Sequence, residues 1–170
     1  MKHDNWHGLM RIIEIQHIRD NKIIWEAHDI LNTLHFLGEE FMLKGLFTNA
    51  GDNIPDNYYL GLDNRTDILA ADTMASLSEE PTSNGYLRQA VNSTSGFVVE
   101  IKNGIHRAVS QIVSFSATGV GWGPVKNIFL ANTSDTSGYL IASAPLSSPI
   151  TTVGGDTINM RMSLSLRNCP

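Results

Sequence analysis

Apolar and polar positions change rhythm several times along this chain, and the last stretch keeps the strictest beat. Ile158, Met160, Met162, Leu164 and Leu166 alternate with Asn159, Arg161, Ser163, Ser165 and Arg167. A period of two sends successive side chains to opposite faces of a strand. Slipping the register by one residue would turn the whole apolar set into water, so the inner face is fixed. Other strand-like runs fall at 85–92, 96–102, 108–118, 124–132 and 138–146, with turn residues between them. Short strands at this spacing predict an antiparallel sandwich.

The first half is more mixed. Ile12, Ile13, Ile15 and Ile18 precede Asp20-Asn21, and Ile23, Ile24, Trp25, Ala27 and Ile30 follow it. Asp and Asn tolerate the left-handed backbone of tight turns, so 10–30 reads as a hairpin turning at 19–22. Its alternation is imperfect, and the pattern does not say which face is buried. A helix is expected over 32–45, capped by Asn32, stopped by Gly45, and buried along Leu34, Leu37, Phe41, Met42 and Leu46. Glu39, Glu40 and Lys44 would face solvent. Residues 48–57, rich in Gly, Asn, Asp and Pro, predict a surface loop, 58–63 a short strand, and 66–80 a loop holding a helical turn.

The expected fold is mainly β: an antiparallel, jelly-roll-like β-sandwich with an N-terminal β-hairpin and one short α-helix, forming a single domain over 10–170. Residues 1–9 carry little apolar surface to offset the entropy of ordering them. They read as a flexible arm, either a disordered terminus or a segment that orders on a neighbouring subunit with Trp6 and Leu9 as anchors.

Length and charge narrow the function. A chain of 170 residues buries about 70% of its unfolded surface on folding, enough for a core without metal or disulfide. No run approaches the roughly 20 apolar residues of a membrane-spanning helix, and polar residues break up the amino end where a signal peptide would need an apolar stretch. A formal charge of −5 without a basic block argues against nucleic acid as partner, because backbone binding needs a concentrated cationic face. The lone Cys169 excludes an intrachain disulfide.

Candidate chemistry is sparse. His3 and His7 have the i, i+4 spacing of a shared metal on a helix, but the sequence around them is poor in helix formers. His28-Asp29 lacks a serine in a Gly-x-Ser-x-Gly elbow. Asp52, Asp56, Asp63 and Asp67 do not match a calcium loop and read as turn formers. Glu79-Glu80 are adjacent, a poor arrangement for two carboxyls that must flank a glycosidic bond. Asn64, Asn92 and Asn132 open glycosylation sequons, which matter only in a secretory pathway. No catalytic, metal or cofactor residue is assigned. Trp122, between Gly121 and Gly123 and followed by Pro124, either seals one end of the core or presents a face to a partner or sugar, with Tyr86 or Tyr139 beside it.

The order of these elements resembles a known group. The hairpin with Asp20-Asn21 and the Asn32-started helix are followed by Tyr59-Leu60-Gly61-Leu62 and Glu80-Pro81. Gly85-Tyr86-Leu87-Arg88, Trp122-Gly123-Pro124-Val125 and Gly138-Tyr139-Leu140-Ile141 complete the series. Together they are similar to small β-rich virion structural proteins of tailed bacteriophages: head decoration or cement, minor capsid and tail-associated components. The likeness spans about residues 10–167. It implies a non-enzymatic subunit, expected to be a homo-oligomer that contacts other virion proteins such as the major capsid protein or tail proteins. Such a subunit would be made in the host cytoplasm and placed on the outer surface of the head or on the tail. Capsid decoration that bridges neighbouring shell subunits is the leading expectation; a tail, neck or baseplate component or a carbohydrate-binding fibre module is the alternative.

Overall fold

The structure, a computed structural model, describes residues 6–48 and 54–168, and the side chains of residues 6–9, 46 and 166–168 lie outside that description. In chain order the strands are β1 (Trp6–Arg19), β2 (Lys22–Leu31), β3 (Thr33–Leu34), β4 (Asn57–Asp63), β5 (Gln89–Asn92) and β6 (Phe97–Lys102). They continue with β7 (Ile105–Ser110), β8 (Val113–Ser116), β9 (Val125–Ala131), β10 (Leu140–Ile150) and β11 (Thr157–Asn168), and a helix α1 (Phe36–Phe47) follows β3. One sheet runs β2-β1-β11-β7-β6, with β8 also on β11; the second runs β3-β10-β9-β4-β5. Every ladder is antiparallel. The fold is the mainly-β sandwich that the alternation predicts.

Met10, Ile12, Ile15, Ile158, Met160 and Met162 of the first sheet meet Leu60, Leu62, Val91, Val125, Ile128 and Leu130 of the second to form the core. The irregular hairpin pattern has a structural cause. Along the β1–β11 ladder Ile12 sits opposite Met162 but Glu14 opposite Arg161, so Ile13 is an extra residue, a β-bulge. The buried phase therefore steps from Met10 and Ile12 to Ile15 and His17. The turn is as expected: Asp20 and Asn21 both have positive φ, +50° and +59°, the type I′ geometry that suits a two-residue hairpin.

Three boundaries differ from expectation. The helix starts four residues later than Asn32, with His35 as N-cap and no side-chain cap. The reason is tertiary: Thr33 and Leu34 pair with Ser143 and Ala142 of β10, and His35 shares a 2.9 Å hydrogen bond with the Ser143 hydroxyl. Gly45 does not stop the helix, which runs to Phe47. Instead Gly38 is the glycine that the packing requires, because a Cβ there would strike the Ile141 carbonyl of β10. Residues 108–118 form two strands rather than one. β7 pairs with residues 163–165 and β8 with 157–160 of the same long β11. Where the chain leaves the sheet between them, the Met162 amide donates to the Ser110 hydroxyl at 3.0 Å.

Residues 6–9, expected in a flexible arm, are the first residues of β1, with Trp6 opposite Asn168 and Leu9 opposite Ser165. Residues 1–5 lie outside the described residues, as does Cys169. The segment 64–80 covers the outer face of β9: Ile68, Met74 and Leu77 close a second small core over Phe129, Ala131 and Leu140. Its helical turn is a short 3-10 piece at Met74–Ser76.

Candidate functional surface

The polar groups buried in this sandwich serve the fold. Asp156 is the most connected. Its carboxylate accepts from Arg19 Nε and Nη2 at 2.8 and 2.7 Å, from His17 Nε2 at 2.7 Å and from the Val153 amide at 2.9 Å. The Arg19 bonds above all hold its pKa well below the ordinary carboxylate value, and the Val153 amide and His17 add to the effect against desolvation. This pins the β1 end of the hairpin to the loop before β11. A second cluster joins Glu80, Arg88 and Tyr86. Arg88 Nε and Nη2 donate to Glu80 at 2.8 and 2.6 Å, and the Tyr86 hydroxyl donates to the same carboxylate at 2.8 Å. Burial pushes the Tyr86 phenol well above its ordinary value. Burial likewise lowers the pKa of His35, which is completely enclosed.

The residues weighed for chemistry do not converge. Asp63 is buried at the end of β4, where it accepts from the Arg65 amide and Nε at 3.0 and 3.1 Å. The Asp56 carbonyl takes the Ser93 amide at 2.9 Å beyond the other end of that strand, and Asp52 lies outside the described residues. Glu80 is committed to Arg88, while Glu79 is exposed. His28 is exposed on β2, 3.9 Å from Glu26 and opposite Glu14. Glu14, Glu26 and His28 do bring three ligand atoms within 4.8 Å, but the group is open to water and Gln16 already donates to Glu14 at 2.7 Å. His3 and the His7 side chain are outside the described residues. Two sequon asparagines hold turns: Asn92 accepts the amides of Thr94 and Ser95, and Asn132 that of Tyr139.

Trp122 is 8% exposed and packs edge-on against Tyr86 at 5.9 Å. Its backbone is clamped by Thr152, whose hydroxyl accepts from the Trp122 amide at 2.8 Å and donates to its carbonyl at 2.9 Å. The flanking glycines follow from this. Gly121 and Gly123 have φ of +78° and +127°, and a Cβ on Gly121 would collide with the Thr152 carbonyl. Tyr86 is also buried, so its face and that of Trp122 are inside the protein, while the half-buried Tyr139 packs on Phe41 at 5.7 Å. Trp122 leaves the partner surface for the same reason, and the Trp6 and Leu9 side chains are not described.

Two features on the first sheet are exposed instead, and both involve the β6–β7 hairpin. Its turn, Asn103-Gly104, carries a type I′ signature that the strand spacing alone does not bring out; φ is +53° and +75°. Phe97 packs against Tyr58 of the core at 5.8 Å. Val99 and Ile101 share its face, yet they are 72% and 63% exposed. Beyond Phe97 no second layer covers this face among the described residues, so β6 ends the sheet as an uncovered apolar ledge continuous with the core. On the opposite face Arg11, Asp29, Lys102, Asn103, Ile105, Arg107, Ser163 and Ser165 line a groove of about 220 Å³. Arg11 donates to Asp29 at 3.1 Å, and Arg107 Nε donates to Glu100 at 2.7 Å.

The exposed features of this two-sheet sandwich are thus the apolar edge of β6 and the groove beside it. A family model described as podophage GP4 fiber I protein gp80 matches residues 35–165. The chain belongs to that family and is a phage structural protein. No curated protein matches it. None of its described helices is long and apolar enough to cross a membrane.

Proposed function

We propose that this chain is a non-enzymatic subunit of a podophage fibre, joined to neighbouring virion proteins, and first to further copies of itself, through the β6 edge. The observation that carries the reading is the ledge of Val99 and Ile101, an extension of the core face on which no described residue packs. Exposed aliphatic edge strands invite pairing with another chain, and soluble monomers suppress them with charge, proline or bulges. β6 has no proline and only Glu100 and Lys102 as charges, both on the opposite face. In a two-residue hairpin the residues flanking the turn form a hydrogen-bonded pair, so the amides and carbonyls of Val99 and Ile101 point away from β7, toward an incoming strand.

The family description favours the fibre over the capsid-decoration role that ranked first on sequence. A shell-bridging subunit would use the same ledge, but no feature of the fold singles out a capsid partner.

The test is the state of the purified chain in solution, by light scattering coupled to gel filtration. The native protein is expected as an oligomer, and the double variant Val99→Lys/Ile101→Lys as a monomer with an unchanged circular-dichroism spectrum. A native monomer at high concentration, or an oligomer indifferent to both lysines, overturns the reading.

A further inference from the structure

We infer that the groove on the outer face of the first sheet binds one unit of an acidic saccharide, a sugar carrying a carboxylate or a phosphate. Its floor is β11, and its walls come from elements far apart in sequence: Arg11 of β1 and Asp29 of β2 on one side, Lys102, Asn103, Ile105 and Arg107 of the β6–β7 hairpin on the other. Three of the chain's 12 basic residues meet there, although its net charge is −5.

Two groups in the groove have no protein partner among the described residues. The Lys102 ammonium is exposed at the hairpin tip and makes no ion pair. Ser163 is 4% exposed, lines the groove and has no hydrogen bond to its hydroxyl from any described residue. A nearly buried polar group is normally satisfied by protein or by what fills the space before it. Ser163 sits opposite Arg11 on one ladder and Val109 on the other, so these neighbours shield it from the sides and leave it facing the groove.

The donor set selects the ligand. Lys102 supplies a point charge for an anionic group, and Arg11 and Arg107 keep guanidinium N–H groups beyond those given to Asp29 and Glu100. Asp29 accepts only, while Asn103 and the two serines both donate and accept. A bare anion leaves the acceptors idle, and a neutral sugar leaves Lys102 idle; a sugar with one negative substituent serves both. At about 220 Å³ the groove is below the roughly 300 Å³ where sites for drug-sized ligands begin, which fits a single sugar residue of a longer chain. Ile105 gives the only apolar contact, so affinity for one unit is expected in the millimolar range and gains from repetition along a polymer.

The experiment is a titration of the isotope-labelled full chain followed by amide chemical shifts, with glucuronate, glucose 6-phosphate, glucose and inorganic phosphate as separate probes. Saturable shifts are expected at Lys102, Asn103, Arg107, Ser163 and Ser165 with glucuronate or glucose 6-phosphate, at least tenfold tighter than with glucose or phosphate. The tighter of the two acids identifies the charged substituent. Lys102→Gln, at an exposed hairpin tip, is expected to weaken that binding about tenfold or more while leaving the rest of the spectrum in place. Inorganic phosphate binding as tightly as the sugar acids, shifts that never saturate, or full binding in Lys102→Gln would each overturn the assignment. None of these readouts depends on the oligomeric state, so the groove and the ledge stand or fall separately.

Discussion

At the scale of single residues, the strongest constraints come from a tryptophan that the sequence makes conspicuous and a carboxylate that it does not. Trp122, which the sequence leaves as either a core seal or a binding face, is a seal: buried against Tyr86, with its amide and carbonyl both taken by Thr152. Trp122→Ala is expected to cost about 3–5 kcal/mol, the usual range for emptying a buried aromatic site, measured as a shift of the urea midpoint. Asp156, which the spacing alone does not single out, ties together two segments 137 residues apart. Its ordinary pKa is 3.8, and in the fold Arg19 first, with the Val153 amide and His17, holds it lower. The unfolded chain therefore binds the proton first as pH falls, and stability conferred by the ionised carboxylate is present above about pH 4 and lost below it. In Asp156→Asn that acid-side slope of melting temperature against pH is expected to flatten. An unchanged slope would show that other carboxylates carry the acid sensitivity.

At the scale of elements, the sequence disclosed what is local. Alternation placed β4, β9, β10 and β11 within one to four residues of their bounds, and Asp20-Asn21 placed the first turn, because strand pleat and left-handed turn residues are written in nearest neighbours. What it withheld is set by partners. Asn32 is a good cap by chemistry, yet β3 pairing with β10 takes the residues after it. The bulge at Ile13 is visible only once β11 supplies the register. The groove was illegible for the same reason: Ser163 and Ser165 were placed on the outward face, but nothing in the spacing says that Arg11 and Arg107 flank them. The bulge also gives a prediction. Deleting Ile13 leaves Ile12 and Glu14 adjacent, opposite Met162 and Arg161 without an extra residue, so Met10 and Ile12 keep their places in the core. The deletion is therefore expected to move the urea midpoint much less than Ile12→Ala, which empties a completely buried site at about 2–5 kcal/mol. A deletion as costly as Ile12→Ala would show that the extra position is itself required.

At the scale of the molecule, the family match and the fold have different limits. The matched region begins at residue 35, whereas the sheet it belongs to includes β1 and β2 before that point. The hairpin is structural rather than appended: β1 lies between β2 and β11, and it carries Met10, Ile12 and Ile15 into the main core. Without it β11 loses its longest ladder, and Met160 and Met162 lose their neighbours on that side. Asp156 would also remain buried without Arg19 and His17, an unpaired charge of the kind that costs several kcal/mol. A chain cut to residues 35–170 is therefore expected to lack a cooperative thermal transition, or to aggregate through the bared edge of β11, despite retaining every residue that defines the family. Supplying residues 1–34 as a separate peptide should restore the transition if β1 acts by filling that place in the sheet. A cut chain that melts cooperatively on its own, at the temperature of the whole, would show that the second sheet and β11 suffice for the fold.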